Sequence, residues 1–197
     1  TITRLNINFN ASKVITVAGT NGKGTTCAFI ENGLLGKGHS VAVYASPHID
    51  EVNERLRVNN ENIDDERLVS AFKQVEAART DVSLSYYEFT TLACFLVIQN
   101  IAPEFIILEV GLGGRLDATN IIDPDIAVIT TIDLDHQAFL GDTREKIGAE
   151  KAGILRTQRD AVIGDSTIPQ SVMDIIDSKQ VCAECRHKHF DLTLFNN

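Results

Sequence analysis

Short unbroken runs of apolar residues recur along the chain at 14–18, 41–44, 105–108, 126–132 and 161–163, each bounded by Gly, Pro, Asp or Ser. Runs of that length, rich in Val and Ile and without a polar alternate, predict strands covered on both faces. Between them apolar residues return at helical spacing: Phe29, Ile30 and Leu34 over 26–35, Leu68, Phe72 and Val75 over 66–79, and Leu92, Phe95 and Leu96 over 87–99. Further helices are predicted over 143–153 and 170–179. Asp64 and Asp65 stand where an N-cap belongs for the second helix, and Gly36 and Gly38 close the first. This alternation predicts the α/β class: a doubly wound, mostly parallel sheet that binds its ligands at the carboxyl edge of the strands.

With 197 residues, 44% hydrophobic and 23% charged, the chain is long enough for one large domain with its own core. There is no internal repeat, low-complexity stretch or linker. Lys and Arg total 18 against 27 Asp and Glu, a net charge of -9. That balance excludes a nucleic-acid or membrane-surface binder working by bulk positive charge and leaves room for a local phosphate site. No apolar run reaches the roughly 18 to 20 residues of a membrane span. The opening Thr1-Ile2-Thr3-Arg4 has no signal-peptide pattern, so a cytoplasmic protein is expected; a first residue other than Met points to a fragment. Cys27 and Cys94 fall on apolar helix faces and are expected to be core thiols. Cys182-Ala183-Glu184-Cys185, followed by His187 and His189, has the outline of a metal knuckle but lacks a second ligand pair, and chance spacing is the expectation.

The strongest local signal follows the first strand. Gly19-Thr20-Asn21-Gly22-Lys23-Gly24-Thr25-Thr26 stands between an apolar strand and an apolar helix. Glycines let peptide N–H groups turn toward an anion, the helix N-terminus adds its positive end, and Lys23 supplies a mobile charge for β and γ phosphates. Thr25 or Thr26 offers a hydroxyl to Mg²⁺. Gly24 separates Lys23 from that hydroxyl, so this is a variant of the usual P-loop; the alternative is an ordinary glycine-rich turn.

The other strands deliver candidates to the same edge. The third run ends in Glu109, followed by Val110-Gly111-Leu112-Gly113-Gly114-Arg115-Leu116-Asp117-Ala118-Thr119-Asn120. A carboxylate there would stand beside the phosphates, where Mg²⁺ can neutralise it, unless it simply faces solvent. The fourth run brings Asp133, Asp135 and His136; Asp135-His136 would suit a metal ligand and its orienting carboxylate, although a surface His is the plainer reading. Ser46-Pro47-His48 offers a weak Mg²⁺ ligand or only a turn. From the residues alone, Lys151 reads as a solvated position late in a helix.

These motifs, in order with Glu150-Lys151-Ala152-Gly153-Ile154, closely resemble the folylpolyglutamate synthase/dihydrofolate synthase branch of the Mur ligase family over about 14–164. Ser85-Tyr86-Tyr87-Glu88-Phe89 is similar to the pterin-side segment of its bacterial bifunctional members. The resemblance implies a P-loop NTPase-like central domain over 1–197 and an ATP-dependent ligase. Such an enzyme joins dihydropteroate or a folate such as tetrahydrofolate to the amino group of L-glutamate through an acyl phosphate. It implies that Gly19, Thr20, Asn21, Gly22, Lys23, Gly24 and Thr25 hold ATP, and that Ser46, Glu109 and His136 ligate Mg²⁺. Lys23, His136 and a carbamylated Lys151 serve the chemistry, and Ser85, Tyr87, Asp117 and Ala118 line the dihydropteroate pocket. Ser85 and Tyr87 stand where close relatives often carry Thr and Phe. Family members also have an N-terminal pterin-holding segment and a C-terminal Rossmann-like domain, so the chain alone is expected to bind MgATP weakly and to catalyse poorly. No nucleic-acid or membrane partner is implied, and a monomer is expected. A P-loop NTPase or phosphotransferase that makes no amide, and a non-catalytic nucleotide-binding module, are the alternatives.

Overall fold

The computed structural model describes residues 1–191. Its strands are β1 (Lys13–Ala18), β2 (Val41–Tyr44), β3 (Leu56–Val58), β4 (Glu61–Asn62), β5 (Phe105–Glu109), β6 (Ile126–Ile129), β7 (Asp160–Ile163) and β8 (Cys182–Cys185). The helices are α1 (Ile2–Leu5), α2 (Lys23–Leu35), α3 (Asp65–Arg79), α4 (Tyr86–Ile101), α5 (Gln137–Leu140), α6 (Arg144–Lys151) and α7 (Gln170–Lys179). All eight strands join one sheet in the order β4-β3-β2-β5-β1-β6-β7-β8. The six strands from β2 to β8 are parallel, and β3 and β4 add an antiparallel edge.

Both faces are covered, which is why the central strands read as unbroken apolar runs. Ile15, Val17, Val41, Val43 and Ile107 pack with Cys27 of α2 on one face. On the other, Ala42, Tyr44, Ile106 and Leu108 meet α3 and α4, while Ala127, Ile129, Ala161 and Ile163 meet α6 and α7. Phe95 at the heart of the α4 layer is fully buried and meets Phe9 and Tyr44 edge-on; truncating such a ring costs about 3–5 kcal/mol. Asp64 caps α3 by accepting the Arg67 N–H, and Ser85 and Glu88 form a reciprocal capping box at α4.

Several expectations need correction. The strand of the fourth apolar run stops at Ile129 rather than Ile132, and beyond it the Thr130 and Thr131 hydroxyls donate to the Asn21 carbonyl. α2 begins at Lys23, three residues early, since Gly22 caps it in the left-handed region. α6 gives way after Lys151 to a single 3₁₀ turn over Ala152–Ile154. The β3–β4 hairpin was not foreseen, although Asn59 and Asn60 both take positive φ, as a two-residue hairpin turn requires. Nor was β8, which is the Cys182–Cys185 segment itself. On a strand, residues three apart face opposite sides, so Cys182 is exposed while Cys185 is buried. Its thiols therefore diverge.

No helix among the described residues is long and apolar enough to cross a membrane.

Candidate functional site

β1 lies between β5 and β6, where the sheet reverses its winding direction, and the glycine loop leaves its carboxyl end at that switch point. The loop is fastened to the segment after β6: Thr20 N–H donates to Thr131 O at 2.8 Å, Asn21 N–H to Thr131 Oγ1 at 3.0 Å, and Asp133 N–H to Thr20 Oγ1 at 3.0 Å. Gly19 is obligatory, since a Cβ there would lie 1.8 Å from Thr130 Oγ1. Lys23 Nζ donates back to Gly19 O at 2.9 Å and to Thr20 O at 3.4 Å, so its ammonium lies over the loop. The first-turn N–H groups of α2 have no intrahelical partner, which leaves donors and a cation facing one spot.

Glu109, the last residue of β5, is 7% exposed and stands beside the first turn of α2, with both carboxylate oxygens within 4.0 Å of a Cβ built on Gly24. Burial pushes its carboxyl up, against the opposing pull of Lys23, the Ser46 N–H and Arg57. Its anionic form is thus under-compensated by the protein, the condition a divalent cation relieves. Ser46, two residues past β2, is close enough for its N–H to favour the charged form of this carboxylate. Glu109 therefore feels both Ser46 and Lys23, and Lys23 acts on Lys151 as well.

Lys151 is 2% exposed, not solvated. Burial, then the like charge of Lys23, lowers its ammonium to about 8, with Asp135 pulling the other way. Half of it is a neutral amine near that pH. His136 takes φ 45° at the start of α5 and points its ring toward Asp135, Nε2 to Oδ2 3.6 Å, with 54% of the side chain exposed. No three His, Cys, Asp or Glu side chains cluster as metal ligands among the described residues.

Next to this edge opens a cavity of about 610 Å³ whose lining includes Ser46, Arg55, Ser85, Tyr87, Asp117 and Ala118. Asp117 organises it. Its Oδ1 accepts from Tyr87 Oη (3.1 Å), Thr119 N–H (2.9 Å) and Thr119 Oγ1 (2.7 Å), and its Oδ2 accepts from the N–H groups of Gly111 and Leu112, both at 3.0 Å. Ser85 Oγ is committed to the α4 cap, donating to Glu88 Oε2 at 2.7 Å.

Some residues of the site carried no reading from sequence. Arg55, 7% exposed, reaches His48 Nδ1 at 2.8 Å and lies over the Tyr86 ring. Arg57 pairs with the buried Glu31 of α2 at 2.8 Å. Asp165, beyond β7, accepts the Ile132 N–H at 2.6 Å and Arg144 Nη2 at 3.1 Å, anchoring the segment that leads to His136. A helical period would have found Glu31, four residues from buried Cys27; nothing local marks Arg55.

The Mur ligase middle domain family matches residues 17–184. The chain belongs to the Mur ligase family. Within it, the chain is 46% identical over 176 residues to the dihydrofolate synthase/folylpolyglutamate synthase of Escherichia coli, covering 89% of this chain and 42% of that protein. It is 52% identical over 161 residues to the protein of the same name from Haemophilus influenzae, covering 82% of this chain and 37% of the relative. The solved E. coli FolC, in complex with DHPP and ADP, superposes with a TM-score of 0.95 at 42% identity, over 98% of this chain and 47% of that one. The Yersinia pestis bifunctional enzyme complexed with AMPPNP and a Mn ion superposes with a TM-score of 0.93 at 44% identity, over 98% of this chain and 47% of that one. The chain thus spans less than half the length of these relatives.

Proposed function

We propose that this chain is the nucleotide- and acceptor-binding part of a dihydrofolate synthase/folylpolyglutamate synthase. The observation that carries the reading is that Ser46 belongs to two sites at once: its backbone N–H favours the charged form of Glu109 at the phosphate edge, and the residue lines the 610 Å³ cavity. A carboxylate bound in that cavity would sit beside the γ-phosphate of a nucleotide bound on the loop. Identity of 46–52% to enzymes of that name supports the choice of acceptor.

The loop N–H groups of Gly19 to Thr25 and the Lys23 ammonium bind the phosphates and stabilise the charge spread over the transferring group. Ser46, Glu109 and His136 would hold a divalent cation, which would draw charge from the phosphate oxygens. The acceptor carboxylate oxygen attacks the γ-phosphorus and ADP leaves. The amino group of L-glutamate then attacks the acyl carbon and inorganic phosphate leaves with its bonding electrons. Cavity walls from Tyr87, Asp117 and Ala118 keep water from the mixed anhydride. Lys151 is suited to carbamylation: its neutral amine attacks CO₂, loses a proton and becomes an anion beside Lys23.

Calorimetry checks binding by the chain, with Mn²⁺·AMPPNP and dihydropteroate both expected to bind; absence of nucleotide binding would overturn the reading. Ligation is checked by phosphate release from ATP in the longest form of the protein carrying this chain. Release is expected to need both a pteroate-type acceptor and L-glutamate. Release indifferent to both would make it a simple NTPase. Carbamylation is read as a carbamate carbon after ¹³C-bicarbonate addition, absent in Lys151→Ala.

A further inference from the structure

Asn120 closes the segment whose Asp117 and Ala118 face the cavity, and its side-chain amide is engaged at both ends. Nδ2 donates to Arg115 O at 2.9 Å and to Gly153 O at 3.2 Å, and Oδ1 accepts from Arg156 Nη2 at 2.9 Å. An amide nitrogen has two hydrogens, so both are spent on carbonyls of different segments, and the guanidinium at the oxygen fixes which way the amide faces. One carbonyl belongs to the loop after β5. The other lies two residues past Lys151, in the 3₁₀ turn that follows α6. Arg156 repeats the tie, with Nη2 on Asn120 O and Nη1 on Gly153 O, both at 3.0 Å.

Inside this clamp the two backbones touch. A Cβ on residue 114 would lie 2.7 Å from Glu150 O, 2.9 Å from Lys151 O and 3.1 Å from Lys151 Cα, and one on residue 153 would lie 2.5 Å from Arg115 Cα. Glycine at both positions lets the loop seat directly on the main chain of Lys151. Resting on the reading above of that loop as the acceptor's and of Lys151 as part of the phosphate edge, we propose that Asn120 is a positioning residue for Lys151. It clamps the acceptor loop to the turn after α6, so that Asp117 and the inward amine of Lys151 keep one fixed spacing for the reaction.

The titration of the Lys151 ε-carbon is followed by ¹³C NMR of the 197-residue chain in carbonate-free buffer, its signal identified by its loss in Lys151→Met. The charges that act on Lys151 are those of Lys23 and Asp135, and Asn120→Ala leaves both in place. With the clamp open, water reaches the amine, so its proton affinity is expected to rise about tenfold from a wild-type midpoint of about 8. Asp123→Ala removes an exposed carboxylate from Arg156 Nε, outside the clamp, and is expected to leave the titration unchanged. In the longest form of the protein carrying this chain, Asn120→Ala should lower kcat for acceptor-dependent phosphate release about tenfold through misplacement. The acceptor KM should change little, since Asp117 keeps its own donors.

An unmoved Lys151 titration in folded Asn120→Ala overturns the inference, and so does an equal rise in Asp123→Ala. A kcat that holds while the titration moves overturns it as well, because Lys151 would then be displaced without consequence. Should Asn120→Ala not fold, Arg156→Met, which cuts the second set of ties, decides by the same titration. Wild-type phosphate release that ignores both acceptor and L-glutamate sinks the functional reading alone, and the titration still decides whether Asn120 places Lys151.

Discussion

The phosphate edge and the acceptor cavity meet at Ser46, yet they are held by different forces. At the edge, backbone does the positioning: strand ends, a glycine that no side chain can replace, the free N–H groups of α2, and ladder-like bonds from Thr20 and Asn21 to Thr131. In the cavity, one carboxylate does it. Asp117 gathers five donors from α4, from the loop after β5 and from the turn at Thr119. A site held by backbone tolerates loss of a side chain and keeps its shape; a site held by one side chain does not.

The largest effect should therefore fall on Asp117. Asp117→Ala leaves three peptide N–H groups and two hydroxyls without their acceptor, and is expected to lower unfolding free energy by about 3 kcal/mol, since each orphaned buried donor costs about 1–3 kcal/mol. Urea unfolding measures it. AMPPNP binding in the folded fraction should survive. A variant as stable as wild type would show that backbone holds the cavity too, and the contrast would disappear.

Lys23→Ala tests the other region and should behave in the opposite way. Its ammonium hydrogen-bonds to two loop carbonyls, and its pull on Glu109 is offset by its push on Lys151, so unfolding should change little, while AMPPNP affinity falls about 100-fold with the loss of a charge-assisted contact. Calorimetry beside a melting curve separates the two. A large loss of stability with affinity retained would mean that the lysine braces the loop instead of serving the phosphates.

This contrast also explains what was legible in the sequence. Backbone-built features announce themselves through glycine placement and apolar runs, and the parallel sheet, α2 and the phosphate loop could be read from residues alone. The cavity came only through family resemblance, because the hydrogen bonds of Tyr87 to Asp117 and Gly111, 30 and 24 residues away, leave no local pattern. β3 and β4 are too short and polar for a periodic signal; their sign was the Asn59-Asn60 pair. Lys151 was readable and was read wrongly. It lies four residues after Ile147, which is fully buried, so both share the inward face of α6.

That inward lysine gives the smallest effect, and it joins the two regions, since α6 packs its end against the cavity loop through Arg115 N–H to Glu150 O at 2.8 Å. Burial and Lys23 hold the folded-state ammonium to about 8, below the 10.5 of an ordinary lysine. Between those values the unfolded chain binds more protons than the folded one, so stability must rise with pH there. Below pH 8 both states are charged and the full penalty of burying the charge is present. From pH 7.5 to 9.5, in carbonate-free buffer, the Lys151 contribution is expected to add about 2 kcal/mol. Lys151→Met keeps the length and removes the charge. The difference between the two proteins' urea-unfolding free energies should shrink by that amount across the range, which cancels the titration of every other group. A difference independent of pH would place a compensating anion beside Lys151, and the edge would then owe its charge balance to side chains, as the cavity does.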